Sequence, residues 1–175
     1  MAVEMVVDCL QVDPLRQAQV VVLKEAAAER YLPIAIGPAE AVAIAVKLMG
    51  ADVPRPLAHD LIGATVRALG GRVQRVLIHA VVDGVFRARV ELAASGRDLE
   101  VDSRPSDAIA LAMRLHAPIL VEEAVLARHA LVPNQRAPGR AAEAAGPAGE
   151  RVRDEQLAAF REVVERLDLD DLGRR

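Results

Sequence analysis

The chain has 175 residues, 53% hydrophobic and 27% charged, with a formal net charge of −3. That is enough for one domain with a full core, and it excludes both a disordered chain and a protein that grips nucleic acid by bulk positive charge. Aromatic residues make up 2% (Tyr31, Phe86 and Phe160), too few for the base-stacking platforms of single-strand binders.

Residues 3–12, 18–24 and 31–36 are rich in Val, Ile and Leu at strand length, separated by turn-like stretches at Asp13-Pro14 and 25–30. Gly37-Pro38 then opens a helix with proline at its first position. This helix runs to Met49 and is apolar almost all round, broken only by Glu40 and Lys47, so it is expected to be buried. Arg55-Pro56 opens a second helix, 56–69, closed by Gly70-Gly71.

Strands return at 72–81, 85–92 and 98–102. A three-residue loop Val82-Asp83-Gly84 sets Ala80 opposite Phe86, Ile78 opposite Ala88 and Val76 opposite Val90, giving one continuous apolar face. The other face then pairs His79 with Arg87 and Arg75 with Glu91. A two-residue loop is rejected because it mixes Arg87 and Arg89 into the apolar face. The turn at Ser95-Gly96 aligns Leu92 with Leu99, Val90 with Val101 and Arg89 with Asp102.

A third helix runs from Arg104-Pro105 to about residue 115, followed by a strand at 118–121 and a helix at 122–130. The order βββααβββαβα clusters strands and helices. It therefore predicts an α+β fold with a mixed, largely antiparallel sheet and helices packed on it.

Residues 133–151 are nearly all Ala, Gly, Pro and charged, and read as a flexible linker. Residues 152–169 regain helical period, with Leu157, Phe160, Val164 and Leu167 on one stripe. The expected organisation is a body (1–132), the linker, and a C-terminal amphipathic helix and tail (152–175). One such helix is not stable alone, so the chain is expected to form a homo-oligomer, most simply a two-fold dimer.

Cys9 is the only cysteine, so neither an internal disulfide nor a multi-cysteine metal site can form. The first residues lack a basic start followed by a long apolar run, and the longest apolar stretch, 41–46, is far below the ~18 residues of a membrane span. The expected location is the cytoplasm, with no membrane partner.

Two segments gather chemically able residues: Arg55-Pro56-Leu57-Ala58-His59-Asp60, and residues 102–114, which begin Asp102-Ser103-Arg104-Pro105-Ser106-Asp107. With Pro33-Ile34-Ala35-Ile36-Gly37, Glu40-Ala41 and Ala117-Pro118-Ile119, these blocks resemble the bifunctional nuclease domain family over residues 1–132. The Arg-Pro-Ser-Asp-Ala-Ile-Ala-Leu run, paired with the upstream Arg-Pro-Leu-X-His-Asp, carries the resemblance. The family's usual Thr before His-Asp is Ala58 here. The resemblance implies hydrolysis of DNA and RNA phosphodiesters, with nucleic acid as a weakly bound substrate.

Residue roles follow from the chemistry such a reaction needs. His59 can serve as a general base near neutral pH. Asp60, Asp102 and Asp107 can hold a divalent metal, Mg or Mn, through oxygen ligands. Arg55 and Arg104 can clamp phosphate in bidentate fashion, and Ser106 can donate a hydrogen bond.

Structural roles compete with each of these. Glu40 and Asp107 fall at the third position of proline-led helices, where a carboxylate caps the helix and offsets its dipole; that role is weighted above catalysis. Asp102 can pair with Arg89 across the hairpin. His59 shares a stripe with Ile62 and Val66, as a half-buried structural histidine would. Arg55 and Arg104 can lock helix starts to carboxylates. The alternative functions are a non-catalytic anion- or metabolite-binding regulator and an oligomeric structural module.

Overall fold

A computed structural model of the chain describes residues 1–13 and 18–133. In chain order the elements are β1 (Ala2–Asp13), β2 (Ala18–Glu25), β3 (Tyr31–Ile36), α1 (Pro38–Leu48), α2 (Ala58–Ala68), β4 (Arg72–Val82), β5 (Val85–Ala94), β6 (Arg97–Ser103), α3 (Pro105–Leu115), β7 (Ile119–Glu122) and α4 (Glu123–His129). The fold is α+β and the order is the expected βββααβββαβα. The expected linker beyond Pro133 and the C-terminal helix lie outside the described residues.

Seven strands form one sheet in the order β3-β2-β1-β7-β4-β5-β6. It consists of two antiparallel meanders, β1-β2-β3 and β4-β5-β6, joined by β7. That short strand runs antiparallel to β1 and parallel to β4. A parallel pair needs a crossover connection, and α3 lies within it.

Alternate residues from both meanders point into one core: Met5, Val21, Leu23, Leu32, Ile34, Val76, Ile78, Ala88 and Val90. Ile44 and Ala45 of α1 and Ile109 and Ala110 of α3 meet them there. The prediction of a buried first helix holds, with Ala41, Ala43, Ile44, Ala45 and Val46 all buried. Arg30 forks onto Glu123 at 2.6 and 3.0 Å, which ties the β2–β3 turn to the start of α4.

The β4–β5 turn departs from the expectation. Asp83 and Gly84 have φ of 52° and 76°, and Val82 pairs with Val85, so the loop has two residues, not three. Positive φ at both central positions is the twist-matched hairpin turn. Val81 therefore faces Phe86 and Ala80 faces Arg87, correcting the Ala80–Phe86 and His79–Arg87 pairs. A bulge at His79 then absorbs one residue, and the expected register returns: Ile78 with Ala88, Val76 with Val90, Arg75 with Glu91. The β5–β6 register, including Arg89 with Asp102, is as expected.

The second helix also differs. It begins at Ala58 with Leu57 as N-cap, so Arg55-Pro56 lies in the preceding loop instead of leading the helix. Its buried residues are His59 and Gly63 alone. Leu61, Ile62 and Leu69 are 63%, 45% and 76% exposed, so of the expected stripe His59 and Val66 pack inward and Ile62 does not. Gly63 is the reason: a Cβ built there lies 2.8 Å from Leu115 Cδ2, so this small-residue face is the one that seats against α3.

Candidate active site at three helix starts

Proline occupies the first position of both α1 and α3, which puts Glu40 and Asp107 at their third positions. Arg104 is the N-cap of α3. It follows one edge strand, β6, whereas Glu40 follows the other edge strand, β3. The Arg104 guanidinium joins the two carboxylates: Nη1 lies 2.7 Å from Glu40 Oε1, and Nε lies 2.7 Å from Asp107 Oδ2. From α2, His59 Nε2 reaches Asp107 Oδ1 at 3.2 Å.

Glu40 and Asp107 both lie in the first turns of their helices, where their charge offsets the dipole as expected, and there Arg104 bonds Glu40 while Arg104 and His59 bond Asp107. Asp60 of α2 is the carboxylate that caps, accepting the Leu57 N–H at 2.9 Å.

Burial differs sharply across this group. The Arg104 side chain is 67% exposed, Asp107 is 30% exposed and His59 is 11% exposed. Burial alone raises the Asp107 carboxyl, but the hydrogen bonds from Arg104 and His59 outweigh it and hold the group below its ordinary value of 3.8. Arg104 is raised in turn, chiefly by its bond to Asp107. His59 Nδ1 is buried and has no hydrogen-bond partner among the described residues. Nε2 is thus the nitrogen that meets the carboxylate, and Nδ1 is turned away from solvent.

The remaining predicted residues are placed as follows. Asp60 turns away from the group, and its Oδ1 accepts from Arg114 Nε at 2.9 Å. Arg55 is exposed in the loop before α2, with no ion pair to the described residues. Ser106 is buried at the second position of α3. Asp102 is exposed on β6 beside Arg89, but the Arg89 guanidinium goes to Glu91 at 3.2 Å and Glu100 at 3.4 Å. Asp60, Asp102 and Asp107 therefore do not gather, and among the described residues no three His, Cys, Asp or Glu side chains form a metal-ligand group. The two segments do meet in space, through His59 and Asp107 rather than through their arginines.

Sequence pattern alone assigns no role to Arg114. Its side chain is 5% exposed and bonds Asp60, the Ala110 carbonyl and the Ala43 carbonyl. A cleft of about 410 Å³ beside it is lined by Lys47, Asp52, Pro56, Asp60 and Arg114. Among the described residues no helix is long and apolar enough to cross a membrane.

Residues 21–134 match the model of the bifunctional nuclease domain. The chain belongs to the bifunctional nuclease domain family. Uncharacterized proteins from two strains of Mycobacterium tuberculosis are each 39% identical over 162 residues, 93% of this chain and 93% of theirs. A protein named bifunctional nuclease 1 from Oryza sativa subsp. japonica is 29% identical over 109 residues, 60% of this chain and 33% of its own.

Proposed function

We propose that the protein hydrolyses phosphodiester bonds of DNA and RNA at the Arg104–Asp107 group. The carrying observation is an exposed guanidinium bonded to a half-buried carboxylate, which is itself bonded to a buried imidazole. Family membership and the likeness to proteins named bifunctional nuclease support the reading.

The Nε–Nη2 edge of Arg104 is held by Asp107 and Nη1 by Glu40, so the remaining outer N–H groups of the exposed guanidinium are those that would meet non-bridging phosphate oxygens, a contact blind to sequence. Asp107 orients the attacking water. The new P–O bond forms as the old one breaks; the attacking water releases its proton to solvent, and a proton from solvent completes the leaving hydroxyl. His59 acts behind Asp107, fixing its oxygens, because neither ring nitrogen faces outward with a lone pair. This reading replaces the base role expected of His59.

Glu40 and Asp107 together outweigh the single charge of Arg104, which disfavours a bare polyanion. Mg²⁺ or Mn²⁺ needs only one or two carboxylates when substrate oxygens complete its shell, and Glu40 and Asp107 are the residues that would hold it. Such an ion supplies charge stabilisation of the transition state.

The buried, unpartnered Nδ1 favours a second reading, anion binding without hydrolysis, because no imidazole is poised to move a substrate proton. The test is cleavage and binding of labelled single-stranded DNA and RNA by the full chain, with Mg²⁺, Mn²⁺ or chelator. The nuclease reading expects cleavage by wild type and by Arg97→Ala, a distant exposed control, and none by folded Arg104→Ala or Asp107→Asn. Undiminished cleavage by the Asp107→Asn protein refutes it. Binding that is lost in Arg104→Ala, without cleavage by any form, selects the second reading.

A further inference from the structure

We infer that Arg114 is a positioning residue of the candidate site: it sets the orientation at which α2 delivers His59 to Asp107. The inference rests on the reading of that site given above. Arg114 lies seven residues after Asp107 on α3, two turns along the same face and roughly 10 Å away along the axis. It does not touch the group itself. Its Nε bonds Asp60 of α2, Nη2 bonds the Ala43 carbonyl of α1, and Nη1 bonds the Ala110 carbonyl of α3, each at 2.9 Å. The same three helices, with the N-cap residue Arg104, supply Glu40, His59 and Asp107. Asp60 is the neighbour of His59, and Ala43 lies one turn beyond Glu40.

Apolar packing does only part of this job for α2. His59 and Gly63 of that helix are buried and Val66 is half-buried against the core, while Leu61 and Ile62 face outward. So narrow a packed face leaves the roll of the helix weakly held. The Asp60 carboxylate removes that freedom because both its oxygens are committed, Oδ1 to Arg114 and Oδ2 to the Leu57 N–H. A planar fork bonding in three directions is needed for this, which a single ammonium cannot reproduce, so lysine is not a conservative replacement.

The experiment uses the ¹⁵N-labelled full chain and compares wild type, Arg114→Met, Arg114→Lys, Asp60→Asn and Asp107→Asn. The imidazole ¹⁵N shifts of His59 report the Nε2–Asp107 bond directly. In folded Arg114→Met and Arg114→Lys the Nε2 resonance is expected to move toward its place in Asp107→Asn, with smaller movement in Asp60→Asn. Amide signals of the sheet should stay in place. Where cleavage is measured, kcat is expected to fall on the order of 10–100-fold with KM little changed, because Arg104 still faces the substrate. An unmoved His59 resonance in a folded Arg114→Met protein overturns the inference. So does failure of both Arg114→Met and Asp60→Asn to fold, since the pair then holds the fold and not the site. If wild type cleaves nothing, the nuclease reading fails while the His59 resonance still decides the role of Arg114.

Discussion

His59 Nε2 lies 3.2 Å from Asp107 Oδ1, and the second nitrogen of the same ring is buried with no partner among the described residues. This pairing fixes which end of the site faces outward. The imidazole is an inner support for the carboxylate, and the carboxylate and Arg104 are what a ligand would meet.

Acid should weaken the protein through Asp107. Its folded carboxyl is held below the ordinary value of 3.8, so the unfolded chain takes up the proton first as pH falls. The stabilisation is complete above the unfolded value and disappears as pH drops through the lower folded value. Urea unfolding between about pH 2.5 and 6 should therefore show an acid limb that is shallower in Asp107→Asn.

Gly37→Ala should damage the site while sparing the fold. Gly37 has φ of −77°, which alanine adopts freely, but the added Cβ would collide with the Glu40 carboxylate. The Glu40 carboxylate must then shift, which disturbs its bond to Arg104. The helix start should lose no more than ~1 kcal/mol, while phosphodiester binding or cleavage changes markedly. Thermal unfolding beside a binding assay separates the two effects.

The outward face of α2 is expected to pair with a second copy of the chain. Leu61 and Ile62 on this short helix and Leu69 at its C-cap lie exposed, a concentration of large apolar side chains at a surface. Sedimentation should give a dimer mass for wild type and a monomer mass for Leu61→Asp. A wild-type monomer at all concentrations counts against the pairing.

Truncation after Val132 should leave a folded body. The described core is drawn from residues 3–130. An amphipathic stripe such as that expected at 152–169 adds ~2–4 kcal/mol at most once its ordering is counted. Calorimetry of the truncated and full chains should show one cooperative transition each, separated by a modest shift.

The strands, their order and the Pro-led helices α1 and α3 were legible because each rests on local chemistry: apolar runs, proline and glycine punctuation, and cross-strand pairing of Arg75 with Glu91. The turn at Asp83-Gly84 was misread because alternation alone cannot announce a bulge. His79 repairs a register that looked impossible, and only the pairing on both sides reveals it. The start of α2 was misplaced because Pro56 resembles the leading prolines of the other two helices. Within the site, Arg104, Asp107 and His59 were visible as unusual polar residues near helix starts. Arg114 was not, since two of its three partners are backbone carbonyls, which every sequence possesses.

The four residues of β7 have a mechanical consequence. They are the one ladder joining the two meanders in the described sheet, with four partners on β1 and three on β4. A seam that short is a natural boundary between cooperative units, where breathing begins before global melting. Glu40 follows the meander on one side of it, and Arg104 with Asp107 follows the meander on the other. When that seam breathes, the two walls of the site are left to the packing of α1 on α3 and to the Arg114 bonds, while each meander keeps its own hydrogen bonds. Hydrogen exchange should therefore find the β7 amides opening below the global limit, and loss of function on warming should run ahead of loss of strand signal.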